Sequence, residues 1–402
     1  MAVHAPQTRP NDLWTQHFAA RTRTLRSSII RDILRMTEQP EVISFAGGLP
    51  NPELFPKDAL ADASHKVLTQ AGKRALQYSM TAGLPELRGW IADWMRAQGS
   101  DVTPDNIMIT SGSQQALDLL AKVLIDPGKN ILVENPTYLG TLQAWTIFEA
   151  AYTTLPTDDD GVIPEAVSEY LRDGPALAYF QPNFQNPTGA TLPLARREAL
   201  ANLAAERGLC IIEDDPYGQL IYDETPPPSL RSLNDSVIYI SSFSKVLAPG
   251  LRLAWLTAPE GVIQKLQLAK QGTDLHTSTT AQLVVLELLK NNFLDTHVPR
   301  LQAAYKGCRD LMLAEMQRHF PTTAQWDTPK GGMFIWVRLP AQVDALKVLE
   351  EAVTHNVAFV PGGTFFPNGG GDNTLRLNFT NASDANIREG ITRLGRVLQK
   401  WC

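Results

Sequence analysis

The sequence predicts an α/β protein, with a large domain around a mostly parallel sheet and a smaller α+β domain after it. First, short β-rich runs alternate with helical segments until about residue 260, which is typical of parallel strands joined by crossover helices. Second, the pattern changes beyond about residue 290 to long amphipathic stretches with two short strands between them. Third, a length of 402 residues is enough for two or three domains.

The large domain is defined by six β-rich runs. Between two of them, Leu200, Leu203 and Ala204 share one helical face. They predict a crossover helix over 192–207, which Gly208 ends. The six strands are expected at 106–110, 130–134, 176–180, 210–213, 237–240 and 253–257.

The chain before and after this domain has a different pattern. Ile30, Ile33 and Leu34 have helical spacing. They predict a helix over 28–36, which precedes a loop rich in glycine and proline at 45–52. In the C-terminal third, helices are expected at 298–319, 343–355 and 385–400, and strands at 333–337 and 374–379.

Composition and charge argue against several classes of protein. A net charge of −6 leaves no basic field of the kind that nucleic-acid-binding proteins use. Cys210, Cys308 and Cys402 are an odd and widely separated set that indicates neither a disulfide framework nor a C-x-x-C metal site, and the histidines lack metal-ligand spacing. No signal-peptide core and no apolar stretch of about 20 residues occurs. We therefore expect a cytoplasmic protein without a metal, a nucleic-acid partner or a membrane partner.

A lysine just after a predicted strand is the most informative feature of the sequence. Lys245 follows the strand at 237–240, with Ser242 and Ser244 before it and Arg252 seven positions after it. Ligands of open α/β sheets bind at the carboxyl ends of strands, and a desolvated lysine beside another cation is a nucleophile toward aldehydes. Lys245 is therefore a Schiff-base candidate, with hydroxyls and a guanidinium nearby for a phosphate. The alternative for this segment alone is a solvated surface turn.

An acidic residue and a tyrosine follow the strand at 210–213. Asp214 can pair with a protonated pyridine nitrogen, because two unit charges about 4 Å apart attract by roughly 4 kcal/mol at an effective dielectric near 20. Such pairing keeps the ring an electron sink. Tyr217 can donate a hydrogen bond to an oxygen on the same ring. In the alternative interpretation, Asp214 and Asp215 only solvate the end of a strand.

Three further turns can contribute to the same site. Gly112 leads a predicted strand directly into a helical segment, whose free N–H groups, with Ser113 and Gln114, suit a phosphate. Asn186 and Tyr138 follow two other strands, where they can bind a ring oxygen and stack on the ring face. Taken singly, Ser113 is also an ordinary N-cap, and the other two are also ordinary turn or core residues.

Read in chain order, these motifs resemble those of the fold type I pyridoxal-phosphate aminotransferases over nearly the whole chain. Ser-Phe-Ala-Gly-Gly-Leu-Pro at 44–50 and Leu-Ala-Pro-Gly-Leu-Arg at 247–252 resemble the group that contains 2-aminoadipate, kynurenine and aromatic aminotransferases. The other motifs are Gly-Ser-Gln at 112–114, Asn-Pro-Thr-Tyr at 135–138, Asn-Pro-Thr-Gly at 186–189, Asp-Asp-Pro-Tyr at 214–217, Ser-Phe-Ser-Lys at 242–245 and Leu-Arg-Leu-Asn at 375–378.

The resemblance implies a role for each of these residues. Lys245 bonds to the aldehyde of pyridoxal 5′-phosphate and moves the substrate α-proton, Asp214 pairs with the pyridine nitrogen, and Tyr217 binds the 3′ oxygen with Asn186. Arg376 grips the substrate α-carboxylate with Asn186, close to Gly48. The remaining implied cofactor ligands are Tyr138 on the ring face and Ser113, Gln114, Ser242, Ser244 and Arg252 at the phosphate.

The resemblance also implies an architecture and a partner. The cofactor-binding domain takes in about 50–290 around a mixed, mostly parallel seven-stranded sheet, and the small domain combines 1–49 with 291–402. Tyr78 matches a tyrosine that reaches the phosphate of the neighbouring subunit. A homodimer with shared active sites is therefore expected.

The expected reaction moves the amino group of an L-amino acid to a 2-oxo acid such as 2-oxoglutarate. Cofactor-binding residues alone leave C–S β-elimination, racemisation and decarboxylation open, because fold does not fix function. A second alternative is the cofactor-binding sensor domain of a transcription regulator. That group carries an N-terminal DNA-binding module, whereas about 15 residues precede the first helical segments here, so this alternative is disfavoured.

The segment at 21–28 is expected to cover the substrate side chain. Aminoadipate enzymes of the family bind the distal carboxylate with an arginine there. Alignment on 30–34 puts Thr24 at that position, with Arg23 and Arg26 on either side. If Arg23 or Arg26 points inward, the pocket should accept acidic donors. If no arginine binds the distal carboxylate, the pocket should favour aromatic or large aliphatic donors. In the third alternative, the arginines are solvated on a surface helix. We expect one adaptable pocket that accepts acidic and bulky donors.

Overall fold

Helices and strands alternate along most of the chain. The computed structural model describes residues 14, 17–25, 41–171, 177–225 and 227–402. The strands are β1 (Ile43–Ser44), β2 (Ile107–Thr110), β3 (Asn130–Val133), β4 (Ala151–Thr154), β5 (Thr157–Asp158), β6 (Gly161–Val162), β7 (Leu177–Phe180), β8 (Cys210–Asp214), β9 (Ile238–Ser242), β10 (Ala254–Thr257), β11 (Gln325–Trp326), β12 (Phe334–Arg338), β13 (Val357–Ala358), β14 (Val360–Pro361) and β15 (Thr374–Asn378). The α-helices are α1 (Lys57–Ala75), α2 (Pro85–Arg96), α3 (Ser113–Leu124), α4 (Leu139–Thr146), α5 (Pro164–Tyr170), α6 (Leu194–Arg207), α7 (Leu230–Leu233), α8 (Glu260–Gln271), α9 (Thr279–Lys290), α10 (Phe293–His319), α11 (Ala345–Thr354) and α12 (Asp384–Trp401). Short 3-10 helices lie at Ala20–Thr24, Pro52–Leu54, Pro104–Asn106, Pro249–Leu251 and Gly362–Phe365.

A seven-stranded sheet forms the centre of the fold, in the order β2-β10-β9-β8-β7-β3-β4. In this sheet β10 runs antiparallel to both of its neighbours, and the other pairs are parallel. This confirms the mixed, mostly parallel sheet, and all six predicted strands lie close to their expected bounds. The strand β4 was not predicted, because its Ala-Tyr-Thr-Thr run lies at the sheet edge without a buried apolar face.

Apolar residues cover both faces of this sheet. Along β3, Ile131 contributes to the core on one face and Leu132 to the core on the other. The crossover helix α6 ends as predicted at Gly208, which has a φ of +70°, a conformation that favours glycine. Its Leu200 and Ala204 are buried against the sheet. A parallel sheet covered in this way leaves the carboxyl ends of its strands as the place for a site.

The C-terminal part forms a four-stranded antiparallel sheet in the order β11-β12-β15-β14 with α10, α11 and α12. The predicted strands and helices of this part are present, although α10 begins earlier than expected, at Phe293. The parallel pair β1–β13 joins residues 43–44 to this part of the chain. The domain division near 49 and 290 stays a prediction, and the helix predicted at 28–36 lies outside the described residues.

Candidate active site

A cavity of about 300 Å³ lies at the carboxyl ends of β7, β8 and β9. Residues of the loops after β2 and β3 also line it, so turns far apart in sequence meet at one edge of the sheet. The lining residues are Gly48, Ser113, Gln114, Tyr138, Gln181, Asn186, Asp214, Pro216, Tyr217, Ser242, Ser244, Lys245, Pro249, Arg252 and Arg376.

Lys245 lies in the turn after β9, with its amine in the cavity. Its Nζ donates to the carbonyl oxygen of Gly48 at 2.9 Å, and no carboxylate of the described ranges pairs with it. Burial, with smaller contributions from the charges of Arg376 and Arg252, lowers the pKa of Lys245 to about 8. Part of the amine is therefore unprotonated near neutral pH, and the unprotonated amine is the nucleophile.

Asp214, the last residue of β8, presents one free carboxylate oxygen. Its Oδ2 accepts hydrogen bonds from the hydroxyl of Tyr179 at 2.6 Å and from Nε2 of Gln181 at 3.1 Å. Its Oδ1 is buried and has no hydrogen-bond partner within the described part of the chain. Burial raises the pKa of Asp214 to about 6, against the effect of these two hydrogen bonds. A protonated ring nitrogen fits this free oxygen, and its charge would favour the ionised carboxylate.

Aromatic and amide side chains form the walls of the cavity. Tyr217 is buried with its ring edge-on to Phe334 at 5.8 Å, and it lines the cavity together with Asn186. Tyr138 is the residue just before α4, and its ring lies over Gly140, where a Cβ atom would collide with it. Glycine at 140 therefore lets the Tyr138 ring take its place in the cavity wall.

The other end of the cavity has the properties of an anion site. Gly112, at a φ of +85°, turns the chain from β2 into α3, which begins at Ser113. Free N–H groups at such a helix start attract anions. A Cβ atom at Gly112 would collide with the guanidinium of Arg252, so the glycine allows that arginine to approach. Among the described residues, the guanidinium of Arg252 makes only two long contacts, of 3.4 Å, to the carbonyl oxygens of Ser111 and Pro249.

Two serines complete this anion site. Ser242 Oγ lies 2.8 Å from Ser244 Oγ and accepts a hydrogen bond from the Ser244 amide at 3.0 Å. The turn after β9 thus gathers its hydroxyls beside Lys245, where a phosphate would receive hydrogen bonds from both.

Arg376, on β15, is a buried cation without a carboxylate partner among the described residues. Its guanidinium donates to Asn186 Oδ1 at 2.7 Å and to the carbonyl oxygen of Ala46 at 2.8 Å. It lies over the ring of Phe334 at 4.2 Å and near that of Phe365 at 5.1 Å. Burial lowers its pKa to about 10. A buried guanidinium that lacks a carboxylate partner favours a ligand with a carboxylate group.

These observations fit pyridoxal 5′-phosphate together with an amino acid. The cavity holds an amine of lowered pKa at Lys245, an unpartnered oxygen at Asp214 and the anion site beside Arg252. Each group suits one part of the cofactor: the aldehyde, the ring nitrogen and the phosphate. The guanidinium of Arg376 suits a carboxylate such as that of an amino acid.

Two of the predicted site residues, Tyr78 and Arg23, do not line the cavity, and a third lies outside the described residues. Tyr78 is 80% exposed and lies edge-on to His276 at 5.8 Å on the surface. Arg23 is exposed on the 3-10 helix Ala20–Thr24. Arg26 lies outside the described residues, as does the anchor segment at 30–34.

Several residues of the site were not predicted from the sequence. Tyr179 and Gln181 are the hydrogen-bond donors to Asp214, and Phe334 and Phe365 enclose Arg376. A tyrosine inside an apolar strand was the one available signal, because a buried phenol needs a hydrogen-bond partner.

Over the described ranges, no group of three or more His, Cys, Asp or Glu side chains is arranged to hold a metal ion. No helix in the same ranges has the length and apolar character needed to cross a membrane.

Comparison with known proteins identifies the family. Residues 42–394 match the model of the class I and II aminotransferases. The chain is 43% identical over 392 residues to 2-aminoadipate transaminase of Thermus thermophilus, covering 96% of this chain and 97% of that protein. It is 40% identical over 396 residues to aromatic-amino-acid aminotransferase 1 of Thermococcus litoralis, covering 96% and 95% of the two chains. The crystal structure of α-aminoadipate aminotransferase from Thermus thermophilus, complexed with N-(5′-phosphopyridoxyl)-L-leucine, superposes with a TM-score of 0.90 at 43% identity, covering 96% of this chain and 98% of that one. The chain therefore belongs to the class I and II aminotransferases, as a pyridoxal-phosphate-dependent enzyme of fold type I.

Proposed function

We propose that this aminotransferase accepts both acidic and bulky amino donors, with 2-oxoglutarate as an amino acceptor. One observation carries the assignment of the site: a single cavity holds the amine of Lys245, the free oxygen of Asp214 and the carboxylate-free guanidinium of Arg376. The breadth of donors is supported by relatives named for 2-aminoadipate and for aromatic amino acids.

In the proposed site each residue has one task. Ser113, Gln114, Ser242, Ser244 and Arg252 hold the phosphate of the cofactor. Asn186 and Tyr217 bind the 3′ oxygen, and Tyr138 stacks on the ring. Asp214 Oδ1 keeps the proton on the ring nitrogen.

The chemistry follows from these positions. Bound pyridoxal phosphate draws electrons away from the α-carbon of the amino acid. Arg376 and Asn186 hold the α-carboxylate, which orients the α-hydrogen toward Lys245. Lys245 Nζ would take that proton and, with the cofactor bound, would be the group that returns it. Proton transfer of this kind contributes about 10²–10⁴-fold to the rate.

The test is a product assay on the holoenzyme. Incubation with 2-aminoadipate or phenylalanine and 2-oxoglutarate should form glutamate and the matching 2-oxo acid in both cases. Glutamate from only one of the two donors would contradict the proposed breadth. Ammonia, sulfide, carbon dioxide or the D-amino acid in place of glutamate would indicate the elimination, decarboxylation or racemisation that the cofactor also supports.

The residue that binds a distal carboxylate is proposed to be Arg23 or Arg26. Arg23 is exposed on its short helix and thus accessible to a ligand. Alanine at the position of this arginine should lower kcat/KM for 2-aminoadipate by an amount equivalent to about 1.5–3 kcal/mol, the value of a hydrogen bond to a charged group. The kcat/KM for phenylalanine should stay unchanged. Arg21→Ala is the matched control, because it removes the same charge from the same segment. Equal and small effects on both donors would reject a clamp at either position.

We propose a homodimer in which Tyr78 reaches the phosphate of the neighbouring subunit. Tyr78 does not line the cavity of its own chain, and it lies with two other exposed apolar side chains, Leu76 at 77% and Met80 at 56%. An exposed apolar patch of this kind favours a protein contact. A cytoplasmic location is also proposed, supported by the three unpaired cysteines.

Subunit mixing tests this arrangement. Tyr78→Ala subunits mixed with Lys245→Ala subunits should regain about one active site per heterodimer, because in one of its two sites Lys245 and Tyr78 are both intact. The control replaces the second partner by the double variant Tyr78→Ala/Lys245→Ala, which should give no recovery. If exchange is demonstrated and the first mixture also stays inactive, Tyr78 does not serve the partner's site.

A further inference from the structure

Gln181 links two parts of the active site that the reaction uses separately. It follows β7 and is 2% exposed. Its Nε2 donates to Asp214 Oδ2 at 3.1 Å, and its Oε1 accepts from the backbone amide of Asn186 at 3.1 Å. Its own backbone amide donates to Oε2 of the buried Glu134 at 2.9 Å. One amide side chain therefore joins the partner of the ring nitrogen to the loop that binds the substrate.

The orientation of this amide is fixed by its surroundings. The backbone N–H of Asn186 is only a donor, so the oxygen of the Gln181 amide must face it. The NH₂ group then faces Asp214 and donates to it. Because the side chain of Asn186 accepts from Arg376 at 2.7 Å, a continuous series of hydrogen bonds runs from Arg376 through Asn186 and Gln181 to Asp214.

The donors to Asp214 also select which of its oxygens is free. Tyr179 and Gln181 both donate to Oδ2 and leave Oδ1 without a partner in the described part of the chain. A carboxylate held at one oxygen by two donors has a fixed plane and direction. The free oxygen is thus presented in one orientation.

We propose that Gln181 is a positioning residue that aims the free oxygen of Asp214 at the cofactor ring nitrogen. It also holds Asn186 and Arg376, the pair that binds the substrate α-carboxylate, in a fixed position relative to Asp214. This inference rests on the proposed placement of the cofactor and substrate. A merely structural Gln181 would support the loop without affecting Asp214.

Two substitutions separate these roles. Gln181→Glu keeps an acceptor for the Asn186 amide but loses the NH₂ group that donates to Asp214, whereas Gln181→Met loses both contacts. Gln185→Met is the matched control, because Gln185 is an equally buried amide of the same loop. Gln185 bonds to the carbonyl oxygen of Pro136 and to Thr188, not to Asp214.

The first readout is the dissociation constant of pyridoxal phosphate, measured by absorbance titration of the apoenzyme. We expect it to rise at least about 10-fold in Gln181→Glu, because a donor to Asp214 is replaced by a second carboxylate, and to change little in Gln185→Met. In an Asp214→Ala background, Gln181→Glu should cause no further loss, because the two residues act as one unit. A loss that adds fully in this background would overturn the proposal.

The second readout is whether each substitution changes kcat, KM or both. Gln181→Glu should lower kcat with little change in KM, whereas Gln181→Met should also raise KM, because Asn186 and Arg376 lose their support. Equal effects of Gln181→Glu and Gln185→Met, at unchanged melting temperature of the apoenzyme, would reduce Gln181 to a structural role. If Gln181→Met does not fold, Gln181→Glu and its combination with Asp214→Ala are sufficient to test the proposal. Wild-type protein that binds no pyridoxal phosphate would instead overturn the proposed function itself.

Discussion

Lys245→Ala should abolish turnover while the protein still binds pyridoxal phosphate. The substitution removes the amine that bonds to the aldehyde and moves the α-proton, a step worth about 10²–10⁴-fold by itself. The anion site of Ser113, Ser242 and Arg252 does not depend on the amine of Lys245 for its hydrogen bonds and should retain most of its affinity for the phosphate. The turnover and the dissociation constant of pyridoxal phosphate, measured on the same preparation, check the two parts of this prediction.

Borohydride reduction followed by peptide mapping identifies the lysine directly. The label should fall on Lys245 and not on Lys270, a lysine with a fully buried side chain. Lys270 Nζ already bonds to Gln115 Oε1 at 2.6 Å and to Asp274 at 2.8 Å, so it is a matched internal control. A label on Lys270 or any other lysine would refute the assignment.

The pH dependence of cofactor capture provides a further check on Lys245. Its pKa of about 8 means that the reactive amine becomes more abundant as the pH rises through that value. The rate at which the apoenzyme captures the aldehyde should therefore increase with pH and level off above about 8. A rate that still rises steeply near the ordinary pKa of lysine would show that the amine is not desolvated.

The sequence was sufficient for the architecture because strands and crossover helices leave local patterns. Apolar runs such as β7 and β8 are buried on both faces and stand out from their surroundings. The strand β4 was missed because an edge strand needs no such pattern. Short strands such as β13 and β14 were missed because their hydrogen bonds depend on partners far along the chain.

The residues that line the cavity were predictable where the chain turns at the end of a strand. Lys245, Asp214 and Asn186 each follow or end a strand, and the rule that ligands bind at the carboxyl ends brings them together. Tyr179 was not predictable as a partner of Asp214, because the two lie 35 residues apart and meet only through the adjacency of β7 and β8. Strand order is a property of the whole fold, so it is not visible in any one motif.

Asp214→Ala should leave the cofactor bound but nearly inactive. Without a carboxylate opposite it, the ring nitrogen loses its proton, and the ring loses its capacity to accept electrons from the α-carbon. The phosphate contacts and Lys245 are unchanged, so the absorbance of bound cofactor should persist while kcat falls by orders of magnitude. Asp214→Glu should be milder than alanine, because it keeps the charge although it displaces the oxygen.

Asp215 is the neighbouring carboxylate that would have to replace Asp214, and its contacts argue against that. Its Oδ1 accepts from the Gly218 amide at 2.8 Å and its Oδ2 from the Tyr239 hydroxyl at 3.1 Å, so both of its oxygens are occupied. Asp215→Ala, measured beside Asp214→Ala, should therefore retain much more turnover. Near wild-type kcat in Asp214→Ala would mean that another group protonates the ring nitrogen. The free Oδ1 of Asp214 would then be a buried polar atom with no task, which is costly enough to be rare in folded proteins.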